Sequence, residues 1–201
     1  GDHRDLHSFP TRRSSDLERN CAIAGSVAVC ENGNYYNRFY FVHPDGAVQH
    51  YDKKHLFTFG GEHKRFTAGT ERVVVNFRGV RILLEVCYDL RFPVWSRNLG
   101  DYDMILYVAS WPTPRVDAWS ALLRARAIEN QCYVAGVNRM GTDPTCEYSG
   151  GSAIIDPYGK TIAECPWSRE SAVSADIDME ALQAFRKKFP VLDDADPFTL
   201  I

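Results

Sequence analysis

The stretch that decides the fold is Leu83-Leu84-Glu85-Val86-Cys87-Tyr88-Asp89-Leu90-Arg91-Phe92-Pro93, in which an apolar run ends at a cysteine. Residues 80–86 are rich in valine, isoleucine and leucine, which predicts a short buried strand. A thiol between such a strand and a helical turn lies where a helix N-terminus can lower its pKa. The stretch therefore predicts a nucleophile elbow with sulfur as the attacking atom, and we expect Cys87 to be the most reactive thiol near neutral pH.

A buried, inert thiol is the alternative for Cys87, because free cysteine is among the most buried residue types. Two further stretches favour the reactive interpretation. Residues 51–57 read Tyr-Asp-Lys-Lys-His-Leu-Phe, and residues 124–131 read Arg-Ala-Arg-Ala-Ile-Glu-Asn-Gln before an apolar run. With the cysteine stretch, they resemble in order the lysine, nucleophile and post-nucleophile motifs of the carbon–nitrogen hydrolase (nitrilase) superfamily, most closely its omega-amidase branch. The resemblance extends from about residue 24 to about residue 198.

The pattern of apolar residues predicts a mixed α/β fold with many strands and no internal repeat or linker. The resemblance implies, more specifically, a four-layer α-β-β-α sandwich over residues 18–201. Strands are predicted at residues 21–30, 37–42, 47–51, 73–77, 80–86, 104–109, 133–137, 153–155, 161–163 and 171–177, and helices at 92–99, 116–131 and 179–188, the last capped by Asp178.

Residues 1–17 show no periodicity and are rich in arginine, serine, aspartate and histidine, so we expect a disordered or non-native leader. They also resemble a translated sequencing adaptor. The resemblance implies that a strand, a helix and a loop with an acid/base glutamate precede the strand at 21–30, and this chain has no matching stretch. We therefore expect a sandwich truncated at its N-terminus, without its first strand and helix, and essentially inactive as written.

Composition narrows the class of protein further. With 45% apolar residues, 24% charged residues and a net charge of −3, the chain is typical of soluble globular domains and favours neither nucleic acid nor an anionic membrane. No apolar run approaches the roughly 20 residues that span a bilayer. The six cysteines are scattered without a Cys-x-x-Cys pair, which predicts reduced thiols in the cytoplasm and no zinc site.

The resemblance assigns roles to the motif residues. The Cys87 thiolate would attack an amide carbonyl and form a thioester that water then cleaves. Lys53 and the backbone N–H of Tyr88 would stabilise the tetrahedral oxyanion, and Glu62 would support the lysine and the substrate. The alternatives are a solvated surface lysine, which we assign to Lys54, and an exposed loop acid for Glu62.

Other residues near the motifs are expected to support the site. Asp89 and Arg91 would fix the elbow through carboxylate or backbone contacts. Trp111 and Pro112 would form the edge of the substrate pocket, with a plain core role as the alternative for Trp111. Core or interface positions are expected for a set of aromatic residues: Phe57, Phe59, Trp95 and Trp119.

Glu85 shares a strand face with Cys87 by period-two alternation. We expect it to accept a hydrogen bond at the strand end, with a role as base as the alternative. His55 and His43 raise the hypothesis of a Cys-His protease, which requires an imidazole oriented toward the thiol. The resemblance gives the family's histidine a structural role, so we set that hypothesis aside.

The sequence therefore predicts hydrolysis of the terminal amide of a short 2-oxo dicarboxylate monoamide, such as 2-oxoglutaramate. No metal or organic cofactor, nucleic acid or membrane is expected, and the resemblance implies a homodimer. One alternative is another small-amide or N-carbamoyl amidohydrolase. The other is a catalytically dead domain used for assembly. The sequence does not locate the group that binds the substrate carboxylate.

Overall fold

A computed structural model describes residues 20–199, so the predictions for residues 1–17 lie outside the described residues. The strands are β1 Ile23–Glu31, β2 Asn34–Val42, β3 Val48–Asp52, β4 Val74–Phe77, β5 Val80–Val86, β6 Met104–Ala109, β7 Tyr133–Asn138, β8 Met140–Thr142, β9 Glu147–Ser149, β10 Ala153–Ile155 and β11 Thr161–Glu164. The α-helices are α1 Val116–Glu129 and α2 Met179–Lys188. Short 3₁₀ helices lie at Thr58–Gly60, Glu62–Lys64, Cys87–Arg91, Thr113–Arg115 and Val191–Asp194.

The first three strands form an antiparallel sheet in the order β1-β2-β3. Asn32 and Gly33 join β1 to β2 with φ angles of 51° and 79°. Two successive positive φ angles are typical of the tight hairpin turn that matches the twist of the flanking strands. Lys53 follows directly after β3, so this small sheet carries the predicted lysine motif to its edge.

The larger sheet has the order β11-β10-β7-β6-β5-β4. Its three central strands, β5, β6 and β7, are parallel, and α1 connects β6 to β7. The chain leaves β5 at Cys87, β6 at Ser110 and β7 at Arg139. Because carboxyl ends of parallel strands meet at one edge of a sheet, side chains from these three exits can line one crevice.

Two hydrophobic cores lie on opposite faces of the larger sheet. On one face Trp119 and Leu123 of α1 pack among residues that include Leu83. On the other face Phe39 of the small sheet packs among residues that include Leu84. Fully burying a side chain of this size stabilises a fold by about 1.5–3 kcal/mol. Residues 20–199 thus form three layers (helix, large sheet, small sheet) and do not themselves form a second helical layer.

Most predicted elements are confirmed, and two are wrong. The helix predicted at 92–99 is absent, and a 3₁₀ helix begins earlier, at Cys87, because the Asp89 carboxylate accepts a hydrogen bond from the N–H of Val86. Residues 171–177 belong to no strand, although their alternating pattern predicted one. Alternation indicates an extended chain, but a strand also needs a hydrogen-bonded neighbour. The short β8–β9 ribbon was not predicted. Asp178 caps α2 as expected, accepting from the N–H of Ala181 at 2.8 Å.

Within the described part of the chain, no helix has the length and apolar character required to cross a membrane.

Candidate active site

Cys87 lies at a strained elbow directly after β5. Its φ angle is 50°, in the left-handed region that non-glycine residues rarely adopt. Such strain persists where the surrounding structure holds it, and it is concentrated at functional sites. The Cys87 thiol donates a long hydrogen bond to the carbonyl of Ser110, with 4.0 Å between sulfur and oxygen. The thiol is therefore held at the carboxyl edge of the parallel strands.

The surroundings raise the pKa of the Cys87 thiol, contrary to our expectation. Burial disfavours the thiolate and is the largest effect, while the positive charge of Lys53 and the Ser110 hydrogen bond act in the opposite direction. The charges of Glu62 and Asp89 act in the same direction as burial.

Lys53 is a buried, paired cation. Its side chain is 3% exposed, and Nζ lies 2.6 Å from Oε2 of Glu62. The backbone N–H of Phe57 donates to the same oxygen at 2.6 Å, and Asn37 Nδ2 donates to Oε1 at 3.2 Å. Lys53 is therefore not a solvated surface lysine, and Glu62 is not an exposed loop acid, because the two residues form one hydrogen-bonded unit. Lys54 instead places its ammonium 5.2 Å from the ring centroid of Trp95.

Asp89 joins the lysine motif to the elbow. This fully buried carboxylate accepts from the hydroxyl of Tyr51 at 2.8 Å and from the N–H of His55 at 2.9 Å. It also accepts from the N–H of Val86 at 3.0 Å, and His55 Nδ1 lies 2.8 Å away. With that many partners, Asp89 fixes the position of residues 51–55 relative to Cys87.

Arg91 does not fix the elbow, which corrects our prediction. Its guanidinium lies 5.0 Å from the ring centroid of Trp111 and, among residues 20–199, has no hydrogen-bond or ion-pair partner. Arg126 holds the elbow instead. It is 3% exposed, and its Nη2 donates to the carbonyl of Leu90 at 2.6 Å. This link was missed because nothing in a sequence shows which helix residue faces a distant carbonyl.

A cavity of about 890 Å³ brings most of the predicted residues together. Cys87, Lys53, Glu62, Tyr88, Arg91, Trp111 and Pro112 all line it. Several lining residues were not predicted: Ala24, Gly25, Ser26, Asn37, Val86, Val108, Ala109, Ser110, Arg115, Val137, Asn138 and Arg139. Phe57 and Phe59, which we assigned to core or interface, also line the cavity, and Phe59 is 87% exposed. Trp95 and Trp119 are buried in the two cores, as expected.

Trp111 belongs to the core and to the cavity wall together. It is 3% exposed, its backbone N–H donates to Asn138 Oδ1 at 2.7 Å, and its indole N–H donates to the carbonyl of Arg115 at 2.7 Å. The ring of Trp119 packs behind it, with 5.6 Å between ring centroids. The cavity therefore has a rigid aromatic wall beside Pro112.

The other titratable candidates lie away from the cavity. Glu85 is fully buried, accepts from the hydroxyl of Ser96 at 3.0 Å, and has its pKa raised to about 8, chiefly by burial. His55 and His43 do not line the cavity, so the Cys-His protease hypothesis has no imidazole beside Cys87. Among the described residues that line the cavity, Glu62 is the one carboxylate.

Comparisons with known proteins agree with this architecture. The carbon–nitrogen hydrolase family profile matches residues 14–187. The omega-amidase YafV of Escherichia coli strain K12 is 54% identical over 182 residues, which are 90% of this chain and 71% of that protein. The 2-oxoglutaramate amidase of Bacillus subtilis strain 168 is 42% identical over 175 residues, 86% of this chain and 67% of that protein.

Among solved structures, XC1258 from Xanthomonas campestris is described as a CN-hydrolase superfamily protein with an arsenic adduct in its active site. It superposes with a TM-score of 0.91 at 42% identity, over 100% of this chain and 82% of that chain. The fold is therefore the α/β sandwich of the nitrilase type, and the relatives support an enzyme that hydrolyses amides. This chain belongs to the carbon–nitrogen hydrolase family, in its omega-amidase branch.

Proposed function

We propose that this site hydrolyses the terminal amide of short 2-oxo dicarboxylate monoamides, with 2-oxoglutaramate as the substrate to test. The observation that carries the proposal is that the Cys87 thiol and the buried Lys53–Glu62 pair open onto one cavity. The names of the relatives from E. coli and B. subtilis support this substrate class. A cavity of about 890 Å³ suits a small molecule.

In the proposed reaction, the Cys87 sulfur gives up its proton and attacks the amide carbonyl carbon. Lys53 and the backbone N–H of Tyr88 stabilise the negative charge that develops on the carbonyl oxygen. The tetrahedral intermediate then breaks its C–N bond, and ammonia leaves with one added proton. Water attacks the resulting thioester, which yields the 2-oxo dicarboxylic acid and restores the thiol. Glu62 holds Lys53 in place throughout.

The proton transfers are the step that the described residues do not supply. Glu62 is the one carboxylate among the described lining residues, and both of its oxygens already accept hydrogen bonds. A positioned acid/base typically contributes about 10²–10⁴ in rate. We therefore propose that the 201-residue polypeptide by itself has very little activity. A catalytically dead domain is for this reason the second candidate.

The domain extent 18–201, homodimer formation and a cytoplasmic location remain proposals.

The test compares two polypeptides for ammonia release from 2-oxoglutaramate. One is the 201-residue chain, and the other (the grafted chain) carries residues 20–201 behind the N-terminal part of the E. coli relative. We expect turnover in the grafted chain, its loss in the Cys87→Ser variant, and slow or no turnover in the ungrafted chain. A dipeptide amide should be a poor substrate for the grafted chain. Equal rates on the dipeptide amide would contradict the small-substrate proposal, and equal rates from both polypeptides would contradict the missing-base argument.

A further inference from the structure

Glu85 is a fully buried carboxyl group in β5, two residues before Cys87, and the proposed mechanism does not use it. Its Oε2 accepts a hydrogen bond at 3.0 Å from the hydroxyl of Ser96, which lies in the chain that follows the elbow. The hydroxyl of Ser96 lies 3.1 Å from that of Tyr107 on β6. Glu85 therefore connects the strand that leads into the elbow with the segment that leads out of it.

The buried Arg126 holds the elbow from the side of α1. Its Nη2 donates to the carbonyl of Leu90 at 2.6 Å, and its Nη1 donates to Glu129 at 2.8 Å. The elbow needs such a support, because Cys87 has a left-handed φ of 50° and strained backbone persists only where its surroundings hold it. Loss of the hydrogen bond to Leu90 would release the segment that positions the Cys87 sulfur and the N–H of Tyr88.

Glu85 and Arg126 each have one buried polar atom without a partner. Within residues 20–199, neither Oε1 of Glu85 nor Nε of Arg126 has a hydrogen-bond partner. One atom is an acceptor and the other is a donor, so the two are chemically complementary. The positive charge of Arg126 also acts on Glu85 and favours its carboxylate form. The described part of the chain thus holds both members of an ion pair that is not formed.

Glu85 exchanges its proton in an accessible pH range. Burial raises its pKa to about 8, and the negative charge of Asp89 acts in the same direction. Other titratable groups whose charges interact with Glu85 are Tyr51 at the end of β3, Tyr102 before β6, Tyr107 on β6 and Cys132 before β7. Burial raises the pKa of each of these groups, so none of them competes with Glu85 for a proton below about pH 9.

We propose that Glu85 is a positioning residue whose ionisation moves Arg126 from the Leu90 carbonyl to the Glu85 carboxylate and so releases the elbow. As a neutral acid, Glu85 bonds to Ser96 and leaves Arg126 on Leu90. Ionisation gives one proton to the solvent and leaves a buried carboxylate, which is costly without a charged partner. Arg126 becomes that partner through Nε, because an arginine bonds more strongly to a carboxylate than to a neutral carbonyl.

The shape of the guanidinium turns this pairing into a movement. Its donors form a rigid planar fork, so turning Nε of Arg126 toward Glu85 withdraws Nη2 from Leu90. The elbow is held at low pH and released at high pH, whichever amide the site accepts.

The carbonyl of Leu90 reports directly on this movement. The sequence contains two Leu-Arg pairs, 90–91 and 123–124. The 201-residue chain, labelled with ¹³C at leucine carbonyls and ¹⁵N at arginine, therefore gives two carbonyl-to-amide NMR correlations, one for Leu90 and one for Leu123 inside α1. In the parent chain we expect the Leu90 resonance to titrate with a midpoint at or below about pH 8, while the Leu123 resonance stays in place.

Variants assign the titration to the two residues. Glu85→Gln fixes the neutral form and should hold the Leu90 resonance at its low-pH position up to about pH 9. Arg126→Met removes the donor, so the Leu90 resonance should no longer titrate. The matched controls are Glu71→Gln, at an exposed carboxylate, and Arg65→Met, at an exposed arginine. Both controls should titrate like the parent chain.

The grafted chain gives an independent kinetic measurement. A displaced elbow misplaces the Cys87 sulfur, and a misplacement of about 1 Å costs on the order of 10²-fold in rate. The kcat of the parent relative to that of Glu85→Gln should fall on the order of tenfold or more between about pH 6.5 and about pH 9, with KM changed by no more than about twofold. The titration of Cys87 is common to both chains, so it does not account for a change in this ratio.

The proposal is overturned by a Leu90 resonance that does not titrate in the parent chain or that titrates equally in either variant, and by a kcat ratio that stays constant with pH. If Glu85→Gln does not fold, the infrared band of a protonated carboxyl group in the parent chain decides. Loss of this band with the same midpoint as the Leu90 shift supports the proposal, and absence of the band at about pH 6 refutes it. Failure of the proposed function is separate: a grafted chain without turnover refutes the substrate and leaves the NMR result intact.

Discussion

Tyr51 donates a hydrogen bond of 2.8 Å to Oδ2 of Asp89, which lies 38 residues further along the chain. Tyr51 belongs to β3, two residues before Lys53, and Asp89 lies two residues after Cys87. The same hydroxyl accepts from the backbone N–H of Lys54 at 3.0 Å. One buried phenol therefore fixes the distance between the small sheet, which carries the lysine, and the large sheet, which carries the thiol.

Tyr51→Phe should lower the free energy of unfolding by about 1–3 kcal/mol, because it removes one of the two hydrogen bonds to Oδ2 of the buried Asp89 and leaves the half-buried N–H of Lys54 without a partner. Urea denaturation of the 201-residue chain measures the change. Tyr35→Phe is the matched control, since Tyr35 is 54% exposed, and we expect a change within about 0.5 kcal/mol. Similar small losses in both variants would show that the Tyr51 hydroxyl does not join the two sheets.

Cys87 should alkylate slowly near neutral pH, because burial raises the pKa of its thiol. Only the thiolate reacts, so the labelling rate of Cys87 should continue to increase above pH 9, which is the ordinary pKa of a cysteine thiol. The exposed Cys30 should label faster than Cys87 at about pH 7. Iodoacetamide labelling mapped by mass spectrometry from about pH 6 to about pH 10 measures both rates. A Cys87 rate that levels off below about pH 8 would contradict the buried-thiol description.

Lys53→Met should move the labelling profile of Cys87 to higher pH. The lysine charge is the largest influence that lowers the pKa of this thiol, and its loss leaves the Glu62 charge, which raises the pKa. In the grafted chain, the same substitution should reduce kcat for 2-oxoglutaramate by roughly 10² or more, as loss of an oxyanion donor does.

Lys54→Met is the control for both Lys53 measurements. It removes a neighbouring charge that packs on Trp95 and does not line the cavity. Its labelling profile and kcat should stay close to those of the parent chain. If Lys53→Met left kcat unchanged, the lysine would be a structural partner of Glu62 and no more.

Glu85 should make the fold less stable as pH rises. Its pKa is raised from 4.5 to about 8, so between these values the folded chain keeps a proton that the unfolded chain releases. Unfolding then releases a proton, and the free energy of unfolding falls by up to about 1.4 kcal/mol per pH unit across that window.

Glu85→Gln removes this titration and should flatten the pH dependence. Urea denaturation at about pH 5.5 and about pH 7.5 measures the two slopes. Glu71→Gln, at an exposed position, should leave the slope of the parent chain unchanged. Parallel slopes for the parent chain and Glu85→Gln would show that Glu85 is ionised in the folded state.

The sequence by itself determined the local part of this protein. The strands at 80–86 and 104–109 and the helix at 179–188 were predicted with the observed bounds, because apolar runs and a capping aspartate act over neighbouring residues. The motif around Cys87 and the lysine motif were identified in the same way, through their order along the chain. Resemblance then placed Lys53, Glu62 and Cys87 in one site, and the cavity contains all three.

Only the tertiary structure decided the electrostatics and the partners of the site. Burial outweighs the positive charge of Lys53 at Cys87 and raises the pKa of its thiol. Arg91 lies on Trp111, while Arg126, from a helix that follows in the chain, holds the elbow at Leu90. Arg115, from the 3₁₀ helix that precedes α1, also lines the cavity. Desolvation and charge pairing depend on atoms that are distant in sequence and close in space, and a one-dimensional pattern carries no information on those distances.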